Sequence, residues 1–250
     1  MKSAHDTGVL FGRSMRHILR SPDTIITVLI TPIALMLLFV YVFGGAIRAG
    51  TSNYVNYLLP GILLIAIASG IAYTALRVFT DLQQGLLARF HSMPVARSSL
   101  LWAHVLTSLV SNAISVVVII LVALLMGFRS GAGVVGWLEV TGILVLFTLA
   151  LTWLAVIAGL TATSAEGAGV FAYPLIFLPF ISSAFVPTAT MPVVVRVFAE
   201  NQPVTSIVDT VRSLLNASPV GAGIWVALAW CVGITVVAYI FAMRAYTRIA

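Results

Sequence analysis

Long apolar runs follow one another through this chain, separated only by short polar gaps. The first, "TIITVLITPIALMLLFVYVFGG", opens the series at residues 24–45. A bilayer core needs about 20 apolar residues of helix, and six runs reach that length, at 25–46, 57–79, 101–127, 138–162, 169–188 and 222–243. The pattern predicts an all-α integral membrane protein, with six transmembrane helices in a single domain spanning residues 1–250. The second run ends near Arg77. The fifth carries Pro174 and Pro179, each lacking the backbone N–H that a helix interior uses, so a kink is expected there. A cleaved signal peptide is the competing reading of the first run, but the run exceeds a signal core and no A-x-A-like site follows it.

Four pieces lie outside these runs. From about Thr7 to Arg20, Phe11, Met15, Ile18 and Leu19 recur at helical spacing beside a stripe of Arg13, Arg16 and Arg20, the pattern of an interfacial helix. Ser21-Pro22-Asp23 should break it, because the residue before a proline is driven out of the helical region. The second piece, "GLLARFHSMPVARS" at residues 85–98, gathers Arg89, His91, Pro94 and Arg97 where charge is otherwise scarce. Asp81 to Phe90 can form a short helix that Pro94 ends, with Leu86, Leu87 and Phe90 as its apolar edge. Two readings stay open: a protein-docking surface, or an interfacial loop whose arginines bind lipid headgroups.

The third piece runs from Val186 to Leu215, and Pro187, Pro192 and Pro203 divide it into short parts. Ile207, Val208, Val211, Leu214 and Leu215 follow helical spacing, and Ser206 with Asp209 reads as a capping box. A short amphipathic helix that dips into the membrane and returns is expected there, since such backbone is tolerated where protein buries it. The fourth is the turn "TATSAEGAG" at 161–169, where Glu166 is the only charge and the choice lies between a solvated turn and a second partner contact.

Composition strengthens the membrane reading. The chain is 61% hydrophobic and 8% charged, with a mean hydropathy of +1.12, against roughly 45–50% apolar and 25% charged in soluble domains. Placing the N-terminus inside puts Lys2, Arg13, Arg16, Arg20, Arg77, Arg89, Arg97, Arg244 and Arg248 in the cytoplasm and leaves Arg48, Arg129, Arg196 and Arg212 outside. That asymmetry predicts cytoplasmic N- and C-termini. Tyr54, Tyr57, Trp137 and Trp225 then mark the outer interface, and Trp102 and Tyr246 the inner one. The net charge of +6 thus reads as an orientation signal without nucleic acid. Cys231 is the single cysteine, so no intrachain disulfide can form. Twelve of the thirteen Lys and Arg residues are arginine, which fits a GC-rich bacterial genome.

Several chemistries are disfavoured. Lys2 is the only lysine, so the chain holds no G-x-x-x-x-G-K-[ST] phosphate loop. Asp81, Glu139 and Glu166 lie at span ends or in turns, away from the mid-membrane position of a proton or sodium relay. His5, His17, His91 and His104 lack metal-ligand spacing, and His104 alone is placed to assist a serine nucleophile. A sequon-like Asn216-Ala217-Ser218 is followed by Pro219 and carries no weight. The function classes open to such a chain include an ATP-independent secondary transporter, an intramembrane hydrolase and a purely structural membrane subunit.

The layout resembles the membrane subunit of a type-2 ABC exporter, the family that includes permeases of the daunorubicin-resistance kind and exporters of polysaccharides and lipids. Three segments carry the resemblance: "RHILRSPDTIITVLITPIALMLLFVYVFGG", "GLLARFHSMPVARSSLLWAHVL" and "FISSAFVPTATMPVVVRVFAENQPVTSIVDTVRSLL", in that order. Each is loose alone, and their order is the more specific signal. The resemblance implies that the segment after the second span carries a coupling helix seated in a separate ATP-binding subunit, matched here by Gly85, Arg89, Phe90, Met93, Pro94 and Arg97. It implies a second contact at the N-terminal interfacial helix, matched by Arg13, Arg16 and Arg20. Ala88 stands where relatives often carry an acidic residue, which puts one ion pair to the ATPase in doubt.

The resemblance further implies two permease subunits, identical or related, above two ATP-binding subunits that hold ATP and magnesium, with no cofactor in this chain. Residues Met191 to Leu215 resemble the family's re-entrant outer helices, and Phe185, Pro187, Pro203 and Arg212 become candidates for an outer gate. Spans of low polarity favour an amphiphilic or lipid-like cargo.

Overall fold

Helix is the regular structure found among the described residues of the computed structural model, which are 22–44, 53–84 and 99–249. Arg13, Arg16 and Arg20, and the coupling candidates Gly85, Arg89, Phe90, Met93, Pro94 and Arg97, lie outside the described residues. The first helix, α1 (Pro22–Leu37), has Pro32 inside it and continues into a wider π-helical turn, Leu38–Phe43. Met36 points inward and is fully buried, while Ile30, Tyr41 and Val42 face outward.

Helix α2 (Tyr54–Gln83) is the centre of the molecule. The Asn53 side chain caps it by accepting from the Val55 N–H at 3.1 Å, satisfying one of the donors that a helix start leaves open. Residues Leu58 to Ala68 are buried on every face, as a helix apolar all round must be. Its neighbours are α1, α3 (Ser99–Leu125) and α4 (Val134–Thr161). α2 extends to Gln83, so Asp81 closes the long helix instead of starting a separate short one.

The fifth apolar run is not one continuous helix. It divides into α5 (Ala165–Val170), α6 (Ala172–Phe177) and a 3-10 turn, Leu178–Ile181. Pro174 and Pro179 each remove a backbone donor; the backbone stays helical through Phe171, Phe177 and Leu178 and leaves the helix at Ser182, which is extended. The stretch that carries these prolines is thus interrupted and changes from α to 3-10 turns before it ends. Ser164 caps α5 by accepting from the Gly167 N–H at 3.0 Å, and Glu166 lies in that helix's first turn, exposed at the positive end of the helix dipole.

Beyond this stretch come α7 (Val193–Asn201) and α8 (Pro203–Leu215). The expected Ser206–Asp209 capping box does not form. Pro203, whose fixed φ suits a first helical position, starts α8 three residues earlier, and Ser206 inside the helix donates to the Pro203 carbonyl at 2.8 Å. The last helix, α9 (Gly223–Ile249), packs on α4 through the small buried residues Ala227, Cys231, Ala238 and Ala242. Small side chains let two backbones approach closely. Its other face leaves Trp225, Val226, Val236, Val237 and Phe241 exposed.

By length and composition, α2, α3, α4 and α9 are long and apolar enough to cross a membrane, at 25 to 30 residues each. Leu29–Phe43 and Ala165–Ile181 are shorter apolar helical stretches. Of the aromatics expected at the interfaces, Tyr57 and Tyr246 are packed within the protein, 7% and 2% exposed, and Trp225 is 71% exposed.

Candidate functional site

The third polar piece folds into a cap braced on the start of α2, and Arg212 is the brace. Arg212 sits one turn after Asp209 on α8, so both side chains share a face. Its Nη1 donates to Asp209 Oδ1 at 2.6 Å, its Nε to the Tyr57 carbonyl at 3.1 Å, and its Nη2 to the Ser183 carbonyl at 2.7 Å. The guanidinium carbon lies 3.8 Å from the centre of the Tyr57 ring, a cation–π contact that adds to the hydrogen bonds.

Neighbouring groups close the network. Ser183 Oγ donates to the same Asp209 oxygen at 2.6 Å, and the Tyr57 hydroxyl donates to the Ser183 carbonyl at 2.9 Å. Burial lowers the pKa of Arg212, and the nearby Tyr57 and Asp209 oppose that shift. An arginine placed in this way binds three parts of its own chain, α8, the turn at 183–184 and α2, and orients all three.

Phe185 continues the brace toward α1. Its ring stacks on Phe180, with centroids 4.8 Å apart, and lies 4.5 Å from Phe39, while its carbonyl accepts from the Tyr54 hydroxyl at 3.1 Å. Pro187 and Pro203 stand at element boundaries. Pro187 precedes the short 3-10 turn Thr188–Thr190, and Pro203 begins α8. The fold thus places Phe185 and Arg212 on one continuous surface around Tyr54 and Tyr57, with the two prolines at the ends of the segment between them. Gly61 makes this close approach possible, because a Cβ there would lie 2.6 Å from the Ala184 Cβ.

A belt of asparagine contacts holds the α3–α4 connection to the same end. Asn53 Nδ2 donates to the Gly127 carbonyl at 2.9 Å, and Asn56 Nδ2 to the Arg129 carbonyl at 2.8 Å. The Gly131 N–H and Ser130 Oγ both donate to the Leu215 carbonyl, at 2.9 and 3.0 Å. Arg129 and Arg212, widely separated in sequence, are thereby collected at one end of the bundle.

A second polar feature escaped the sequence reading. His104 Nε2 lies 3.1 Å from Asp81 Oδ2, and the Thr74 hydroxyl meets that of Ser108 at 3.0 Å. Asp81 reads in sequence as lying at a span end or turn and His104 only as a residue placed to assist a serine, so nothing joined them. The available signal was the four-residue spacing of His104, Ser108 and Asn112, which puts three polar side chains on one face of α3. Among the described residues, no group of three or more His, Cys, Asp or Glu is placed to hold a metal ion.

Long apolar helices, with a braced cap at one end and a buried polar contact between two helices at the other, are the form of a polytopic membrane protein. The chain belongs to the ABC-2 type transporter family, whose profile matches residues 5–216, and it is an ABC transporter membrane subunit. It is 28% identical over 242 residues to the daunorubicin resistance ABC transporter permease protein DrrB1 of Streptomyces coeruleorubidus, covering 94% of this chain and 83% of that relative. It is 27% identical over 229 residues to the probable doxorubicin resistance ABC transporter permease protein DrrC of Mycobacterium tuberculosis, covering 90% of this chain and 82% of that relative.

Proposed function

We propose that this chain is the permease subunit of an ATP-driven exporter that moves an amphiphilic drug, lipid or lipid-linked molecule outward across the cytoplasmic membrane. The observation that carries the reading is the family match over residues 5–216, which includes both the candidate docking stretch and the braced cap. Relatives named for daunorubicin and doxorubicin resistance favour an amphiphilic cargo.

In this reading the chain crosses the membrane six times, α1 and the interrupted α5–α6 unit supplying the crossings that the four long helices do not. Both termini are cytoplasmic. ATP and magnesium bind a separate subunit, present in two copies beneath two permeases. Gly85, Arg89, Phe90, Met93, Pro94 and Arg97 dock that subunit, and the arginines at 13, 16 and 20 make a second contact with it. The cap from Phe185 to Leu215 faces outward as the gate, with Pro187 and Pro203 as its hinges and Arg212 as its anchor. Exposed Val193, Val194, Val197 and Phe198 on α7 favour contact of the cap with the outer leaflet.

The test is transport in inside-out vesicles carrying this chain and its ATP-binding subunit, with daunorubicin as the probe. Accumulation that needs ATP hydrolysis and survives collapse of the ion gradients is expected. Accumulation driven by an ion gradient without ATP would instead establish a secondary transporter.

A further inference from the structure

The two ends of the candidate docking stretch are joined to α2 and α3, and just beyond those ends the helices are tied together by polar contacts. Asp81 stands two residues before the end of α2, and His104 lies five residues into α3. Their side chains meet at 3.1 Å, with His104 5% and Asp81 28% exposed. One step deeper, Thr74 Oγ1 donates to Ser108 Oγ at 3.0 Å, and Thr152 of α4 donates to the same oxygen at 3.2 Å. Deeper again, Gly70 faces Asn112 so closely that a Cβ would collide with the amide oxygen. The partners step up one helix as they step down the other, as two antiparallel helices in register require. Arg77 lies on the same stripe of α2 and donates from Nη2 to Thr74 at 3.0 Å.

This seam is only partly satisfied. Among the described residues, the buried Arg77 Nε, Ser111 Oγ and Asn112 Oδ1 have no hydrogen-bond partner. Packed helices shift between discrete positions more readily than they deform. The Asp81–His104 pair lies between that seam and the docking stretch. A push on residues 85–98 either levers α2 and α3 apart or moves them together, and a polar side-chain contact at 3.1 Å, buried on its histidine side, resists the first.

We propose that Asp81 and His104 form the clasp that converts displacement of the docking stretch into a joint movement of α2 and α3, with the Thr74–Ser108 and Gly70–Asn112 contacts holding the two helices in register as they move. These are positioning residues for transport, and the inference rests on the proposed function above. The chemistry is specific: a carboxylate and an imidazole N–H, each held on its own helix, at the junction between the part that docks and the part that moves.

The experiment uses the full complex with its ATP-binding subunit in proteoliposomes and reads daunorubicin transported per ATP hydrolysed. Asp81→Ala and His104→Leu are expected to lower that ratio about tenfold, the scale of a typical coupling between sites, while the ATP-binding subunit stays bound. The exchanged variant, D81H with H104D, should recover most of the ratio. Asp81→Glu, which lengthens the acid without removing it, is expected to fall between wild type and alanine and guards against loss of folding. An unchanged ratio in folded single variants, or an exchanged variant no better than either single one, would overturn the clasp while leaving the exporter reading intact. A wild-type complex that transports without ATP would overturn both.

Discussion

Arg212 shows how a residue that reads from sequence as an exposed outer charge becomes a structural centre. Its three nitrogens bind Asp209 and the Tyr57 and Ser183 carbonyls. Asp209 is half exposed and keeps the Ser183 hydroxyl, and the Ser183 carbonyl keeps the Tyr57 hydroxyl, so what is lost is the hydrogen bonding of the charged group itself. Arg212→Ala is therefore expected to lower stability by about 1.5–3 kcal/mol, the scale of hydrogen bonds made by a charged group. Arg212→Lys should recover part of that loss, because an ammonium cannot reproduce the planar fork. Thermal unfolding in detergent would measure both. An alanine variant as stable as wild type would show that the brace does not hold the cap.

Cys231 offers a means of measuring such changes, being the chain's single cysteine and 1% exposed between α9 and α4. A fluorogenic thiol probe should react with the native protein only as it unfolds. Rapid labelling of the folded chain would contradict the packing of α9 on α4.

At the scale of elements, length and apolar character were readable and interruptions were harder to read. The helices at 54–83, 99–125, 134–161 and 223–249 follow the expected apolar runs closely, because an unbroken run over 20 residues long leaves few alternatives to a helix. The fifth run was apolar enough to read as a span, yet it is interrupted along the stretch that carries its two prolines, and the chain at 182–186 packs on α2 in a way that local pattern does not encode. The start of α8 moved from Ser206 to Pro203 because proline at a first helical position competes well with a serine cap. The gathering of Tyr54, Tyr57, Ser183, Asp209 and Arg212 rests on contacts between residues more than 100 positions apart, as from Arg212 to Tyr57, and no local pattern reports that. Gly61 tests this packing. Gly61→Leu would drive a side chain into Ala184 and should destabilise the protein by about 1–3 kcal/mol, the usual range for overpacking. A cysteine placed at 187 should become more reactive in that variant, and unchanged reactivity would mean that α2 and the cap are not pressed together.

For the whole molecule, the account joins an ATP-driven partner on one side to a braced cap on the other through the central helix α2. It predicts that single cysteines introduced from 192 to 212 at exposed positions react with an impermeant reagent added outside intact cells, whereas labelling only from the cytoplasmic side would reverse the topology. The claim on which everything else depends is the docking of a separate ATP-binding subunit on the stretch between α2 and α3. The most direct measurement is purification of the tagged chain in mild detergent beside its Arg89→Ala/Phe90→Ala variant, with co-purifying proteins identified by mass. An ATP-binding subunit recovered with the wild type and lost from an equally well-inserted variant is the predicted result. A wild-type chain that emerges stable and alone would contradict the account.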